Sequence, residues 1–317
     1  MAKIAILDDY QNVSQKMADW SALSSEHTIQ VFTTPFATPE AAAAAVASFE
    51  IVCIMRERTL FDAAMLARLP SLKLLVTTGH RNAAIDVAAA NARGVVVSGT
   101  DAPGIATAEL SMALILGLSR HIVAEANAMR EGRWQTTVGR DLKGRTLGLV
   151  GLGRLGGQMA KYAHAFGMPV IAWSQNLTAE AAAQHGASRV EKSALFVRAD
   201  IISIHTKLSP RTTGLVGRSE LALMKPDALL INTSRGPVID EAALLAALHE
   251  GRIGGAGIDV YEPEPLPTNH PLRSAPRTLL TPHIGYVTEE TYRIFYGGTV
   301  AAIRAWLAGQ PVNVLTP

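Results

Sequence analysis

The sequence predicts an α/β fold with two doubly wound parallel-sheet domains. Short β-branched runs alternate with alanine-rich stretches along the chain, and a glycine-rich turn follows one of the predicted strands. Such alternation is typical of parallel sheets whose faces are covered by helices. The 317 residues are enough for two domains of about 150 residues each.

The first alternating series predicts one sheet. Its strands are predicted at Lys3–Leu7, Thr28–Phe32, Ile51–Ile54, Leu74–Val76 and Val95–Val97. Its helices are predicted at Pro39–Ala47, Phe61–Leu69 and Ala83–Asn91. Thr38 and Pro39 indicate a helix start, because a threonine cap and a first-turn proline both favour that end. The segment Ser98–Gly104 interrupts the pattern and is interpreted as a linker.

A long helix over Ala106–Arg130 and a polar segment with Trp134 precede the second series. Its strands are predicted at Thr146–Val150, Pro169–Trp173, Ile201–Ile204, Leu229–Asn232, Gly257–Asp259 and Leu279–Leu280. Its helices are predicted at Leu155–Phe166, Thr178–His185, Gly217–Leu223 and Glu241–Glu250. A final helix, Thr288–Leu307, has no strand after it and is expected to pack on the first domain. The predicted domains are therefore 1–100 with 286–317, and 101–285.

Composition excludes several classes of protein. The 29 Lys and Arg residues against 27 Asp and Glu give a net charge of +2, with no basic tract of the kind that binds nucleic acid. The apolar run Leu110–Ser119 is far shorter than the roughly 20 residues that span a bilayer. Cys53 is the only cysteine, which excludes an internal disulfide and a thiolate metal site. We therefore expect no metal. Asp8 and Asp9 come too early in the chain for a secretory signal, so we expect a cytoplasmic protein.

The turn Gly151-Leu-Gly153-Arg-Leu-Gly156 follows a predicted strand and opens a predicted helix. In that context the glycines allow a tight turn, close approach of a pyrophosphate and close helix–strand packing. A plain glycine-rich turn or an adenosyl-methionine site gives a similar pattern, and the flanking strand and helix favour the dinucleotide.

The second strand of a dinucleotide fold usually ends in an acid that binds the ribose hydroxyls. Here it ends in Ser174-Gln175-Asn176, with no acid before Glu180 and no arginine at the strand end. Nothing at this position repels a 2′-phosphate, so both NAD and NADP stay open as cofactors.

Three further polar groups follow apolar strands, where open α/β sheets bind ligands. Arg235, in Asn232-Thr-Ser-Arg235-Gly-Pro, offers a planar fork to a carboxylate. Glu264 follows the strand that ends at Asp259, and His283 lies in Pro282-His283-Ile-Gly285. A carboxylate beside a histidine favours the charged ring, which can then give a proton to a carbonyl oxygen.

Together these motifs resemble the D-isomer-specific 2-hydroxyacid dehydrogenase family, and the resemblance covers nearly the whole chain. The family's substrate-carboxylate loop is similar to Thr77-Thr78-Gly79 with Ile85-Asp86. The start of its dimerisation helix is similar to Thr107-Ala-Glu109. The resemblance implies NAD(P)-dependent hydride transfer between a 2-oxo acid and its D-2-hydroxy acid. It also implies two Rossmann-like domains, with 1–100 and 286–317 binding the substrate, 101–285 binding the dinucleotide and the active site in the cleft between them. The resemblance further implies a homodimer.

The resemblance implies roles for the matching residues. Arg235 binds the carboxylate and carbonyl, His283 exchanges the proton, and Glu264 orients His283. The substrate carboxylate meets the loop Gly79, His80 and Arg81, and Asp259 meets the nicotinamide carboxamide. The expected cofactor contacts are Gly151, Gly153, Arg154, Leu155, Gly156, Ser174, Gln175, Thr107, His205, Thr233, Asp259 and Gly285.

Three departures from the family pattern bear on specificity. Ser174 replaces the usual Asp, His80-Arg81-Asn82 replaces small residues, and Lys207 stands where a Pro is common. Glyoxylate, hydroxypyruvate and bulkier 2-oxo acids are all compatible with the motifs, in either direction. Two alternatives remain on the same scaffold: a dinucleotide-sensing protein similar to the family's corepressor relatives, and oxidation of a small anion such as phosphite or formate.

Overall fold

The computed structural model describes residues 1–102 and 104–317. Contacts between Cα atoms divide the chain into two units, the first Met1–Pro103 with Val287–Pro317 and the second Gly104–Tyr286. Pro103, which belongs to the predicted linker Ser98–Gly104, lies outside the described residues. Each unit has its own sheet and its own hydrophobic core.

Both sheets are parallel throughout the described residues. The strands are β1 (Lys3–Ile6), β2 (Thr28–Val31), β3 (Ile51–Ile54), β4 (Leu74–Thr77), β5 (Val96–Ser98), β6 (Leu147–Val150), β7 (Val170–Trp173), β8 (Ser188–Arg189), β9 (Ile201–Ile204), β10 (Leu229–Asn232), β11 (Gly255–Ile258) and β12 (Thr278–Leu280). Their order is β2-β1-β3-β4-β5 in the first unit and β12-β11-β10-β9-β6-β7-β8 in the second. The second order reverses between β6 and β9, a position where doubly wound sheets bind ligands.

Helices connect these strands. They are α1 (Ser14–Met17), α2 (Ser21–Ser24), α3 (Pro39–Val46), α4 (Ala63–Ala67), α5 (Val87–Ala92), α6 (Ala106–Ser119), α7 (Ile122–Arg130), α8 (Arg154–Ala165), α9 (Ala179–Ala183), α10 (Lys192–Arg198), α11 (Arg218–Leu223), α12 (Glu241–His249) and α13 (Glu289–Leu307). As expected, α13 belongs to the first unit, where it packs on β4.

Helices cover both faces of the second sheet. Ile202 and Leu230 belong to one apolar cluster, whereas their neighbours Ile201, Leu229 and Ile231 belong to another. Successive side chains of a strand point to opposite faces, so each cluster marks one covered face. Because both faces are covered, each strand is a continuous run of apolar residues in the sequence. Polar residues therefore lie at the strand ends.

The predicted strands are confirmed, each within two residues of its expected bounds. The helix predicted at Ala83–Asn91 begins only at Val87, because the Asp86 side chain caps it by accepting a hydrogen bond from the Ala89 amide. Of the α-helices and strands given above, four short ones were not predicted, namely α1, α2, β8 and α10. Each has at most seven residues, which is too few for a clear periodic pattern.

The prediction of one helix over Ala106–Arg130 is wrong. Two helices, α6 and α7, meet there at 61°. Between them His121 adopts a left-handed backbone with φ of +52°, which a right-handed helix does not accommodate. Among the described residues no single helix is long and apolar enough to cross a membrane, although α6 and α7 taken together pass that test of length and composition.

Cys53 lies in β3 and is buried. Burial raises the pKa of its thiol, because the surrounding apolar side chains disfavour the thiolate. The residue is therefore a core packing residue.

Candidate active site

The glycine-rich turn joins β6 to α8 at the sheet's point of reversal. Gly151 has a φ of +99°, and a Cβ there would lie 2.6 Å from the His205 carbonyl oxygen. A Cβ on Gly156 would collide with the Gly151 carbonyl oxygen. Gly153 differs, because a Cβ there would meet nothing within 4 Å. Two glycines therefore close the turn, and the third leaves open space beside it.

The start of α8 suits an anion. Gly153 is its N-cap and provides no side-chain cap for the first backbone N–H groups. Uncapped N–H groups and the positive end of the helix dipole bind phosphate well. Arg154 and Leu155 form the first turn, where the Arg154 guanidinium lies against Gly104 and Leu155 packs partly into the core. The observed open space and the helix start without a side-chain cap fit the pyrophosphate of a dinucleotide.

The end of β7 is a turn without a carboxylate. The Leu177 amide donates to the Ser174 carbonyl oxygen at 3.1 Å, which closes residues 174–177. Ser174 is half-buried and Gln175 is exposed. Arg189 at the end of β8 reaches the same turn, since its Nε donates to the Leu177 carbonyl oxygen at 3.1 Å. The sequence analysis missed this arginine because a two-residue edge strand leaves no readable pattern.

His205 follows β9, on the other side of the point of reversal. Its Nε2 lies 2.8 Å from the Ser203 hydroxyl. Burial lowers the pKa of the ring to about 4, so the imidazole is neutral near pH 7. Among residues 1–102 and 104–317, no group of three or more His, Cys, Asp or Glu side chains is arranged to hold a metal ion.

Arg235 lies in a turn that Asn232 holds from the end of β10. The Asn232 side chain donates to the Arg235 carbonyl oxygen at 2.9 Å and accepts from the Ser234 amide at 3.0 Å. The Arg235 guanidinium is half-buried and donates to the Ser234 carbonyl oxygen at 2.7 Å. Gly236 is required next, because a Cβ there would lie 2.5 Å from the Tyr261 carbonyl carbon. The turn thus packs against the segment that leads to Glu264.

His283 and Glu264 form a hydrogen-bonded pair. The Nδ1 atom of His283 lies 2.6 Å from Oε2 of Glu264, and the side chains are 22% and 30% exposed. The other carboxylate oxygen accepts from the Tyr261 amide at 2.8 Å, which fixes its orientation. With Nδ1 facing the carboxylate, Nε2 is left to exchange a proton with a ligand. His283 has a φ of +54°, a strained backbone of the kind found at functional sites.

Asp259 holds the loop that carries His283. It is fully buried at the end of β11 and accepts from the Thr281 hydroxyl at 2.6 Å, the Ile284 amide at 2.8 Å and the Gly285 amide at 2.9 Å. Burial raises the pKa of its carboxyl, and these three hydrogen bonds oppose that rise. The observed role is to anchor the loop; the contact with a nicotinamide carboxamide stays a prediction.

Three residues form a hydroxyl chain (Thr107, Ser111 and Thr233) between the loop of Arg235 and the loop of His283. The Thr107 hydroxyl donates to the Gly285 carbonyl oxygen at 3.0 Å. The Ser111 hydroxyl donates to the Thr107 carbonyl oxygen at 2.8 Å and lies 2.7 Å from the Thr233 hydroxyl. The chain connects α6 to the loops after β12 and β10. Ser111 was missed by the sequence analysis, although its spacing of four residues from Thr107 is a recognisable signal.

The loop Gly79, His80 and Arg81 belongs to the first unit. Gly79 has a φ of +87°, and its amide already donates to the Thr100 hydroxyl at 2.8 Å. His80 and Arg81 are exposed. Beneath them Arg56, a residue that the sequence analysis missed, donates through Nη1 to the Thr78 carbonyl oxygen at 2.7 Å. The loop is therefore rigidly held, and its contact with substrate stays a prediction.

Comparison with known proteins identifies the family. The family model described as D-isomer specific 2-hydroxyacid dehydrogenase, NAD binding domain, matches residues 112–285. The chain belongs to the D-isomer specific 2-hydroxyacid dehydrogenase family. It is therefore an oxidoreductase, and the matched region contains the glycine turn, Arg235, Glu264 and His283.

Named members of the dehydrogenase family are similar over most of this chain. It is 42% identical to a glyoxylate reductase of Thermococcus litoralis, over 72% of both chains. It is 38% identical to a D-3-phosphoglycerate dehydrogenase of Methanocaldococcus jannaschii, over 83% of this chain and 52% of that one, so it spans about half the length of that relative. The solved structure of a phosphoglycerate oxidoreductase from Vibrio cholerae matches with a TM-score of 0.92 at 36% identity, over 98% and 100% of the two chains.

The hydroxyl chain predicts an effect of Ser111→Ala on both stability and turnover. The substitution leaves the Thr233 hydroxyl buried without its partner, which should cost about 1–3 kcal/mol of unfolding free energy. Because the loops of Arg235 and His283 lose a shared support, kcat should also fall about tenfold. Denaturant unfolding and steady-state turnover measure the two effects. Ser119→Ala, another buried serine on α6, is the control; an unchanged kcat in Ser111→Ala would contradict the role of the chain.

Proposed function

We propose that this dehydrogenase interconverts a small 2-oxo acid and its D-2-hydroxy acid, with a nicotinamide dinucleotide bound at the glycine turn. The observation that carries the proposal is the 2.6 Å hydrogen bond between His283 and Glu264. Like the glycine turn, this pair follows strands of one parallel sheet, whose carboxyl ends lie at a single edge. An acid–base group beside a dinucleotide site is the arrangement that reduction of a carbonyl requires.

The nicotinamide ring, when bound, supplies the hydride in reduction and accepts it in oxidation. His283 gives a proton from Nε2 to the carbonyl oxygen of the 2-oxo acid and takes it back in the reverse direction. Glu264 keeps Nδ1 facing its carboxylate and stabilises the ring while it is charged. The Tyr261 amide holds Glu264 in place, so the proton is exchanged at a fixed position.

Arg235 binds the substrate's carboxylate and carbonyl oxygens. A guanidinium presents parallel N–H groups that meet two oxygens at once, and this geometry orients the reacting carbonyl. Asn232 supports the proposal, since its two hydrogen bonds fix the backbone on each side of Arg235. The positive charge also stabilises the negative charge that develops on the carbonyl oxygen during reduction.

The other functions considered are not favoured. A dinucleotide-sensing binding protein can retain Arg235, Glu264 and His283, but the relatives found by sequence are named as reductases and dehydrogenases. Oxidation of formate or phosphite does not need a group that protonates a carbonyl oxygen. We therefore propose a 2-oxo acid substrate, with glyoxylate and hydroxypyruvate among the first acids to test. The cytoplasmic location stays a prediction.

Oxidation of NADH and NADPH with a panel of about ten 2-oxo acids tests this function, and Arg235→Lys tests the substrate site. Lysine keeps the charge but loses the planar fork, so KM for the acid should rise at least about tenfold and kcat should also fall. Arg252→Lys, an exposed arginine of the same unit, should change neither constant. Turnover of no acid by the unmodified protein, or normal efficiency of Arg235→Lys, would contradict the proposal.

We also propose that two copies of the chain associate through α7 and the segment after it. Ile122, Val123, Met129, Trp134 and Val138 are 50–91% exposed within this short region, an unusual concentration of apolar surface for a monomer. Light scattering at micromolar concentration should give twice the chain mass of 33.7 kDa. Trp134→Asp should shift the mass towards one chain, and a monomeric unmodified protein would contradict the proposal.

A further inference from the structure

The turn at the end of β7 bears on which dinucleotide the protein uses. We infer that Arg189 binds the 2′-phosphate of NADP(H), so that the protein prefers the phosphorylated cofactor over NAD(H). This inference rests on the proposed function, because it concerns the adenosine end of the same dinucleotide site.

No carboxylate occupies the turn at residues 174–177. The first acid after β7 is Glu180, in the first turn of α9, where hydrogen bonds from its own amide and from Thr178 lower the pKa of its carboxyl. Glu180 is therefore engaged at the helix start and does not take the place of the usual ribose-binding acid. A ribose bound beside Ser174 meets hydroxyl and amide side chains, which can donate to a phosphate and do not repel it.

Parallel pairing brings Arg189 to this turn. Ala172 in β7 is the register partner of Arg189 in β8, so both strands end at the same edge of the sheet. The turn beginning at Ser174 spans at most about 7 Å between its first and last Cα atoms. Nε of Arg189 is fixed to the last residue, Leu177, at 3.1 Å. The Arg189 guanidinium is thus held within a side-chain length of Ser174.

The terminal nitrogens of Arg189 face an exposed carboxylate. Nη1 lies 2.9 Å from Oε1 of Glu191, and the two side chains are 39% and 69% exposed. Such a surface ion pair is weak, so exchange for a dianionic phosphate is favourable. Lys192, the neighbouring cation, is already paired with Glu220 at 3.0 Å. Arg189 is therefore the residue that we assign to the phosphate.

The test is a fluorescence titration of NADPH and NADH with the full chain. The unmodified protein should bind NADPH at least about tenfold more tightly than NADH. Arg189→Ala should weaken NADPH binding about tenfold or more and leave NADH binding within about twofold, because charge-assisted bonds to phosphate are lost in one case only. Arg189→Lys should lie between them, and Arg252→Ala, which removes a similarly exposed arginine, should change neither affinity.

Two further variants locate the phosphate. Glu191→Gln should strengthen NADPH binding about twofold to fivefold, because it frees the guanidinium from its competing carboxylate. Ser174→Asp should lower the ratio of NADPH to NADH affinity by about tenfold, because a carboxylate there binds the ribose hydroxyls and repels a 2′-phosphate.

The possible failures are distinguishable. Equal weakening of both dinucleotides in Arg189→Ala, or tighter binding of NADH than NADPH by the unmodified protein, overturns the inference and leaves the proposed function standing. An unchanged affinity ratio in Ser174→Asp places the ribose elsewhere and also overturns it. Binding of neither dinucleotide by the unmodified protein overturns the inference together with the proposed function.

Discussion

The buried carboxylate of Asp259 is the constraint on which the rest of the site depends. Backbone amides of Ile284 and Gly285 and the Thr281 hydroxyl all donate to it, so the loop after β12 has one position relative to β11. A buried carboxyl group that lost these donors would be left with unsatisfied oxygens at a cost, which favours the arrangement that supplies all three. His283 adopts its strained left-handed backbone inside this loop, and the anchoring on either side of it sustains that conformation.

The parallel sheet brings together polar residues that are far apart in the sequence. Residues after β6, β9, β10, β11 and β12 come to one edge because every strand runs in the same direction. Local bonds orient each group there: Asn232 holds Arg235, and the Tyr261 amide holds Glu264. The hydroxyl chain joins the loops of β10 and β12 through α6, which packs on β10, β11 and β12.

Much of this could be read from the sequence, for identifiable reasons. Apolar β-branched runs predicted the strands. Because Arg235, Glu264 and His283 each follow such a run, they were predicted to lie at one edge of the sheet. Features set by tertiary packing could not be read in the same way. The left-handed backbone of His121 divides an apolar pattern that predicts one continuous helix. Arg189 reaches the turn after β7 because β8 pairs with β7 over only two residues at the sheet edge. The Gly79 amide, expected to bind substrate, donates to Thr100, a partner that only the folded loop brings near.

Glu264 is proposed to act through His283, so that the two side chains form one acid–base unit. This coupling is tested by kcat of His283→Gln, Glu264→Gln and the double variant, with dinucleotide affinity measured by fluorescence in each. His283→Gln should lower kcat about 10²–10⁴-fold with little change in dinucleotide affinity. Glu264→Gln should also lower kcat, and the double variant should be no slower than His283→Gln alone, because the carboxylate has no other route to the reaction. Losses that multiply in the double variant, or near-normal turnover of His283→Gln, would contradict the account.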